Sequence, residues 1–403
     1  MVKMSSKFPF SQNLNKIRHR QLLVDVSAIC RIDINTGIQR VVREVLIELF
    51  KNELFGYRIE PVYAGSSHGY RYARRFTAKF LGFDPGSLYD DPVEVWKNDV
   101  FWGLDLSTYT TILNKNQIFS WKKIGVKIVF TVYDLMPVLH PETTLPIVTE
   151  NHRVWLETIS NAHGLLAISQ TVMNDLRNWL NLFHFQKNHE IKLGWAHLGA
   201  NIHSLKKNRY EIFNILQKYN LNTKNLKFLM VGTIELRKAH GQVIDAFEHL
   251  WASGMDIQLV IVGRPDWKTD IPAVRIRKHP EFQRRLIWIE SPDDNILENI
   301  YKICDCLIAA SINEGFGLPL IEAAMRDMPI IARDIPVFRE VAGDNAFYFS
   351  GSNSSKLENI IRRWTHDYEH GSLPNSSKIN FLKWEQSTKI MLDFILMKNF
   401  NKY

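Results

Sequence analysis

Short, fully apolar runs alternate with amphipathic stretches along most of this chain. In the first half the runs at 22–26, 57–62, 100–102, 126–132 and 164–168 read as buried strands. Helical periodicity appears over 38–50, where Val41, Val42, Val45, Leu46 and Leu49 fall on one face. It returns over 147–160 and 171–180. The second half alternates more regularly, with strands expected at 228–231, 258–262, 286–289, 306–310, 330–332 and 346–349. Helices are expected between them at 240–250, 294–304 and 319–326. Strands that are apolar throughout and separated by helices predict an α/β chain with parallel sheets. The two halves meet in a polar stretch, 194–207, read as a linker. The expected organisation is therefore two Rossmann-like units, 1–200 and 201–380, followed by a short segment, 381–403. Ligands of such sheets sit beyond the carboxyl ends of the strands, which places the expected site in the cleft between the units.

Composition narrows the class without choosing a function. At 403 residues the chain is too long for one ordinary core, and 45% hydrophobic with 23% charged residues is globular. The three cysteines, Cys30, Cys304 and Cys306, lack a zinc-ligand pattern and read as reduced core thiols of a cytosolic protein. Residues 1–20 are polar and basic, unlike a signal peptide, and no apolar run has the length of a membrane span. The net charge of +8 favours anionic partners. Nucleic acid, anionic lipid and phosphorylated substrates all fit it.

The candidate chemistry concentrates after two strands of the second half. Ser311-Ile312-Asn313-Glu314-Gly315-Phe316-Gly317-Leu318-Pro319-Leu320-Ile321-Glu322 places two carboxylates around a glycine turn that opens a helix. Gly315 and Gly317 allow close backbone approach, and Pro319 suits a first helical position. Amides at such a helix start suit a phosphate. Glu314 and Glu322 can then bracket a ligand bearing hydroxyls at both ends of a diphosphate. A solvated helix start with one capping carboxylate fits the same spacing. Earlier, Gly232-Thr233-Ile234-Glu235-Leu236-Arg237-Lys238 follows a strand and precedes a helix, offering a guanidinium fork and a point charge, or simply a solvated basic turn. The chain has no Asp-x-Asp pair, the usual means of holding Mg²⁺ against a diphosphate. No metal site is expected; neutralisation would fall to Arg237, Lys238 and the helix start.

These residues give the second half a specific resemblance to the C-terminal domain of the retaining glycosyltransferase family 4, whose fold is GT-B. The resemblance implies two Rossmann-like domains facing across a cleft, with the 381–403 segment crossing back onto the first. It implies that Glu314 contacts the donor sugar and Glu322 the ribose of a nucleoside diphosphate sugar. Gly315, Phe316, Gly317 and Leu318 would hold sugar and phosphate, and Lys238 the diphosphate. Thr233 stands where many members carry arginine, so Arg237 would supply the second charge. The loop from Ile289 would hold the base through backbone groups. No cofactor is implied beyond the donor substrate.

The first half resembles the family more loosely. Asp25-Val26-Ser27 followed by Thr36-Gly37-Ile38-Gln39-Arg40 is similar to its glycine loop. Gly37 would then face donor phosphate or acceptor, or be an ordinary helix start. Tyr133 occupies the place of a donor-binding histidine, and Asp134 beside it would orient or deprotonate the acceptor hydroxyl, or cap a helix. His140 and His197 read as structural. The interleaved basic and aromatic residues of 69–80, with Lys3, Lys7, Lys16, Arg18 and Arg20 before them, suit an anionic membrane surface, single-stranded nucleic acid or a solvated loop.

The combined expectation is a metal-independent, retaining hexosyltransferase of cell-surface polysaccharide assembly, with mannose the sugar suggested by family association. It would be cytoplasmic, peripheral at the inner membrane face, and act on a glycan or lipid-linked saccharide rather than nucleic acid. Sugar-nucleotide epimerisation, phosphorolysis and a non-catalytic nucleotide-binding role are the alternatives.

Overall fold

In a computed structural model the described residues are 19–34, 36–51, 54, 56–65, 68–183, 191–201, 209–265 and 271–397. The first sheet contains β1 (Arg20–Asp25), β2 (Tyr57–Tyr63), β3 (Arg71–Tyr72), β4 (Val100–Gly103), β5 (Lys127–Val132), β6 (Gly164–Ala167) and β7 (Lys192–Trp195). Its order is β3-β2-β1-β4-β5-β6-β7, parallel throughout except for the short β2–β3 pairing. The second sheet contains β8 (Lys227–Val231), β9 (Gln258–Val262), β10 (Leu286–Ile289), β11 (Cys306–Ala309), β12 (Ile330–Arg333) and β13 (Phe347–Phe349). Its order is β10-β9-β8-β11-β12-β13, all parallel.

Both sheets reverse their winding at one place, between β1 and β4 in the first and between β8 and β11 in the second. The loops that leave the carboxyl ends of those four strands diverge there and open a crevice. Helices cover both faces of each sheet, so the inner strands β4, β6 and β9, and the edge strand β10 as well, are buried at every position. That is why they read as unbroken apolar runs. One apolar cluster continues from Val24, Trp102, Tyr133 and Ile168 in the first unit to Leu229, Leu307, Phe316 and Leu320 in the second. The two units share a core at their interface.

The last helix, Trp384–Ile395, packs against helix Gly37–Lys51 and β6. Trp384 is buried, Ser387 Oγ donates to the His197 carbonyl at 2.6 Å, and the Ala200 amide donates to the Leu382 carbonyl at 2.9 Å.

The expected linker begins too early. Gly194 and Trp195 belong to β7, paired in register with Leu166 and Ala167. As an edge strand, Lys-Leu-Gly-Trp is largely exposed and carries no apolar run. The end of that stretch, 202–207, lies outside the described residues. Helices Thr108–Leu113, Lys115–Ile124 and Ser354–Glu369 were also not marked by the pattern.

Candidate active site in the interdomain cleft

The second sheet's reversal point carries the densest charge. From β8 the chain turns through Gly232 and a single 3-10 turn, Leu236–Lys238, which sets Arg237 and Lys238 beside the loop leaving β11. The Ile312 amide donates to the Arg237 carbonyl at 2.8 Å, fixing one loop to the other. Glu314 is enclosed between them. Lys238 Nζ pairs with its Oε1, Arg237 Nη1 lies 2.8 Å from its Oε2, and Ser311 Oγ donates to Oε1 at 2.7 Å. Arg237 Nη2 also lies 2.7 Å from Glu235 Oε1. Burial pushes the Glu314 carboxyl up, but Arg237 and Lys238 outweigh it and hold the pKa at about 2. Beneath them His240 is buried; burial and the Lys238 charge pull its pKa down to about 4, so the ring is neutral at physiological pH.

The glycine turn closes the two units on each other. Gly317 caps helix Leu318–Ala324 with φ of +104°, a backbone conformation that other residues rarely adopt. At Gly315 a Cβ would overlap the Tyr133 carbonyl oxygen of the first unit. The Gly315 carbonyl accepts a 2.8 Å hydrogen bond from Ser169 Oγ, also of the first unit. Gly315 therefore permits close approach by the facing unit itself. Phe316 is buried, 5.2 Å ring to ring from His197. Leu318 and Pro319 are half-buried at the helix start.

Glu322 lies beyond the first turn of that helix, so it does not cap the amides. It points inward instead. Its Oε2 accepts the Tyr301 hydroxyl at 2.6 Å, and its Oε1 pairs with Arg40 from helix Gly37–Lys51 of the first unit. Burial raises the Glu322 carboxyl, while Arg40 and the Tyr301 hydroxyl more than offset it and keep it below the usual carboxylate range.

Asp134 faces this cluster from across the cleft, near enough to favour the Arg237 charge, and its Oδ1 accepts the Met136 amide at 3.0 Å. Tyr133 turns away: its side chain is buried and its hydroxyl donates to the Leu104 carbonyl at 2.8 Å. The tyrosine in the expected histidine's position thus presents only its backbone to the cleft. Thr233 lies two residues past β8, half-buried. Ile289 ends β10, two strands from β8, with its side chain buried and its carbonyl accepting the Gly263 amide at 3.1 Å. Gly37 is exposed at the start of its helix, with open space where a side chain would be. His140 is 3.3 Å from Glu142 at the surface.

His197 joins a second cross-cleft contact. Glu340 takes His197 Nε2 at 2.7 Å, the Gln170 amide at 2.7 Å, and the Thr171 amide and hydroxyl at 2.8 and 2.6 Å. A carboxylate of the second unit thereby caps helix Gln170–Leu182 of the first.

The first sheet's reversal point is built differently. Asp25 ends β1; its Oδ1 accepts the Ser27 amide at 2.9 Å and hydroxyl at 2.5 Å, and its Oδ2 the Tyr70 hydroxyl at 2.9 Å. Asp105, just past β4, accepts the Ile29 amide at 2.8 Å. Burial lifts Asp25 to about 7 and Asp105 to about 6.

The basic, aromatic segment folds with its rings inward. Tyr70 and Tyr72 are buried, Phe76 and Phe80 pack on the core, Arg74 pairs with Asp91, and Arg75 donates to the Leu88 carbonyl at 3.1 Å. Exposed aromatics nearby are Phe83 and Tyr89 instead. Arg20 is the exposed start of β1, and the four basic residues from Lys3 to Arg18 lie outside the described residues. Among the described residues no group of three His, Cys, Asp or Glu is placed to hold a metal, and no helix is long and apolar enough to cross a membrane.

Sequence reasoning thus brought Glu314, Arg237 and Lys238 together correctly in space, with Asp134 opposite. It missed Ser311, Glu235, Tyr301, Arg40, Ser169 and Glu340. Arg40, one turn after Gly37, Ser311 and Glu235 each stood within a motif singled out above; Tyr301, Ser169 and Glu340 had no local signal.

Residues 211–377 match the family model described as glycosyl transferases group 1. The chain is 35% identical over 385 residues to the serotype-specific mannosyltransferase WbdA of Escherichia coli, an alignment covering 95% of this chain. It spans about half of that relative, 47%. Among solved structures, HepE from Anabaena, crystallised with UDP and glucose, superposes with a TM-score of 0.65 at 15% identity, covering 94% of this chain and 99% of that one. A glycosyltransferase from Rickettsia africae does so with a TM-score of 0.65 at 16% identity, covering 94% and 99%. These likenesses establish the GT-B fold.

Proposed function

We propose that the chain, whose residues 211–377 match the glycosyl transferases group 1 model, transfers a hexose, with retention, from a nucleoside diphosphate sugar to a hydroxyl of a glycan or lipid-linked saccharide. Mannose is the first sugar to test, given the mannosyltransferase relative that aligns with 95% of the chain. The assignment rests above all on Glu314, an ionised carboxylate held by two cations at the reversal point of the second sheet.

In this reading Glu314 accepts hydrogen bonds from donor-sugar hydroxyls and Glu322 from the ribose diol. Lys238, Arg237 and the backbone from Gly315 to Leu318 receive the diphosphate, with Thr233 at the edge of that pocket. Gly37 faces the phosphates from the first unit, and the chain after Ile289 meets the base. Arg237 and Lys238 here stand against Glu314 and Glu235, so local charge is already balanced. An arriving diphosphate recruits the cations by re-partnering them, and their charge counts most as the bond to the leaving phosphate breaks. The leaving phosphate takes the acceptor's proton, so the protein supplies no nucleophile; Asp134 orients the acceptor. Neither metal nor further cofactor enters the scheme, in keeping with the absence of an Asp-x-Asp pair. The proposed setting is polysaccharide assembly at the cytoplasmic face of the membrane.

The test begins with thermal shift against a panel of nucleotide sugars, since a ligand that binds only the folded state raises Tm. Transfer to saccharide acceptors follows, with stereochemistry read by NMR. Glu314→Ala and Lys238→Ala should each cut transfer at least a hundredfold when assayed below the unfolding temperature of each variant. Full activity in either removes that residue from the scheme. Conversion of donor into a new nucleotide sugar without acceptor would replace transfer with epimerisation.

A further inference from the structure

Arg40 is the one charged side chain of the first unit that pairs directly with the Glu314–Glu322 segment among the described ion pairs. It projects from the first turn of helix Gly37–Lys51, at the carboxyl edge of the first sheet, and takes Glu322 Oε1, while Tyr301 takes Oε2. The two partners are unequally exposed. The Arg40 side chain retains 39% of its surface, Glu322 only 9%. Arg40 can leave without stranding itself, because water can solvate it. Glu322 is a buried carboxylate and needs a replacement donor if Arg40 goes.

A ribose diol is such a replacement, offering two hydroxyl donors to a carboxylate. A guanidinium freed in the same cleft is a planar fork that matches phosphate oxygens two at a time. We propose that Arg40 is a donor-site residue contributed by the first unit: it satisfies Glu322 in the arrangement seen here, yields that carboxylate to the ribose, and then pairs with the diphosphate. This rests on the nucleoside diphosphate sugar reading given above. It gives the first unit a side chain that senses the nucleotide, and it makes ribose entry and phosphate capture two halves of one exchange.

The exchange predicts effects of opposite sign, which a fixed interdomain bridge would not produce. Calorimetric titration of the full chain with guanosine, uridine, GDP and UDP compares wild type with Arg40→Met and Arg40→Lys. For whichever base binds, Arg40→Met should tighten the nucleoside at least threefold, because its internal competitor is gone. The same variant should weaken the nucleoside diphosphate at least fivefold, because a phosphate partner is gone. Arg40→Lys keeps the charge without the fork and should lie between for the diphosphate. Shifts of the same sign for nucleoside and diphosphate, or no shift in either, overturn the proposal. Wild-type protein that binds none of the four overturns the donor reading itself, a result distinct from failure at Arg40. Circular dichroism of the lysine variant, which retains the cation, guards against a folding defect in the methionine one.

Discussion

The two sheets reverse at equivalent places, yet one crevice holds a carboxyl pulled below its ordinary range and the other holds carboxyls pushed above theirs. At the second sheet, Arg237 and Lys238 overcome burial and hold Glu314 at about 2. At the first, burial takes Asp25 to about 7 and Asp105 to about 6, with the Asp105 charge adding to the rise at Asp25 and that of Asp33 to the rise at Asp105, and no cation stands beside Asp25 among its principal influences. The fold supplies the crevice in both cases. What the crevice can bind depends on whether cations accompany the acid. The Glu314 side suits a ligand that brings both negative charge and hydroxyls. The Asp25 side is tied to Ser27 and Tyr70 and organises its own loop.

That contrast is broken most forcefully by isosteric neutralisation. Glu314→Gln leaves Arg237 and Lys238 buried beside a neutral amide and should destabilise the protein by about 3–5 kcal/mol at pH 7. Asp25→Asn should do the reverse above pH 7. The Asp25 carboxyl has a folded pKa raised from 3.8 to about 7. Between those values the folded state holds a proton that the unfolded state has lost, so stability falls as pH rises through the window. The cumulative loss is up to about 4 kcal/mol, and Asn removes it. Glu314 has the opposite sign: its pKa falls from 4.5 to about 2, so its contribution is present above pH 4.5 and lost as pH falls toward 2. Urea unfolding of wild type and both variants from pH 3 to 8 checks this. Asp25→Asn should flatten the slope between about pH 4 and 7, and Glu314→Gln should flatten the acid limb. Equal responses at the two sites would erase the distinction.

A smaller effect on stability, but a large one on function, is expected at Gly315. A Cβ there would meet the backbone of Tyr133, which cannot rotate away, so Gly315→Ala should part the units. Small-angle scattering should show an expanded chain, and transfer should fall at least tenfold because the facing groups no longer meet. Glu340→Gln tests the other cross-cleft tie. It retains hydrogen-bonding shape but loses charge at the start of helix Gln170–Leu182, and should cost about 1 kcal/mol in urea unfolding.

How legible these regions were from sequence follows from the same physics. Parallel strands buried on both faces announce themselves as apolar runs, which is why the inner strand β9 and the edge strand β10, itself buried at every position, were both bounded to the residue. Edge strands β3 and β7 are half-exposed and short, and they stayed hidden. Tyr70-Arg71-Tyr72 was read as a basic, aromatic surface although its period of two is that of a strand edge, with rings inward and Arg71 outward to the Asp90 carbonyl. Glu314 and Lys238 could be linked because each follows a strand, and strand ends of one sheet gather along one edge. Arg40 and Tyr301 could not be linked to Glu322, because nothing local records which helix of a facing unit arrives at a given carboxylate. Gly315 was legible as a close approach, but its partner was the other unit's backbone.

The smallest expected effect separates stability from binding most cleanly. Gly37 begins its helix without a positive φ, is exposed, and has open space around an added Cβ. Nothing in the fold requires glycine there. Gly37→Ala should leave unfolding unchanged or raise stability by a few tenths of a kcal/mol, since alanine loses less backbone entropy in a helix. The donor reading brings phosphate oxygens against that backbone, where a methyl group would intrude. Donor KM should then rise severalfold while the urea midpoint holds or increases. An unchanged KM would make Gly37 an ordinary helix start and confine the first unit's contribution at the phosphates to Arg40.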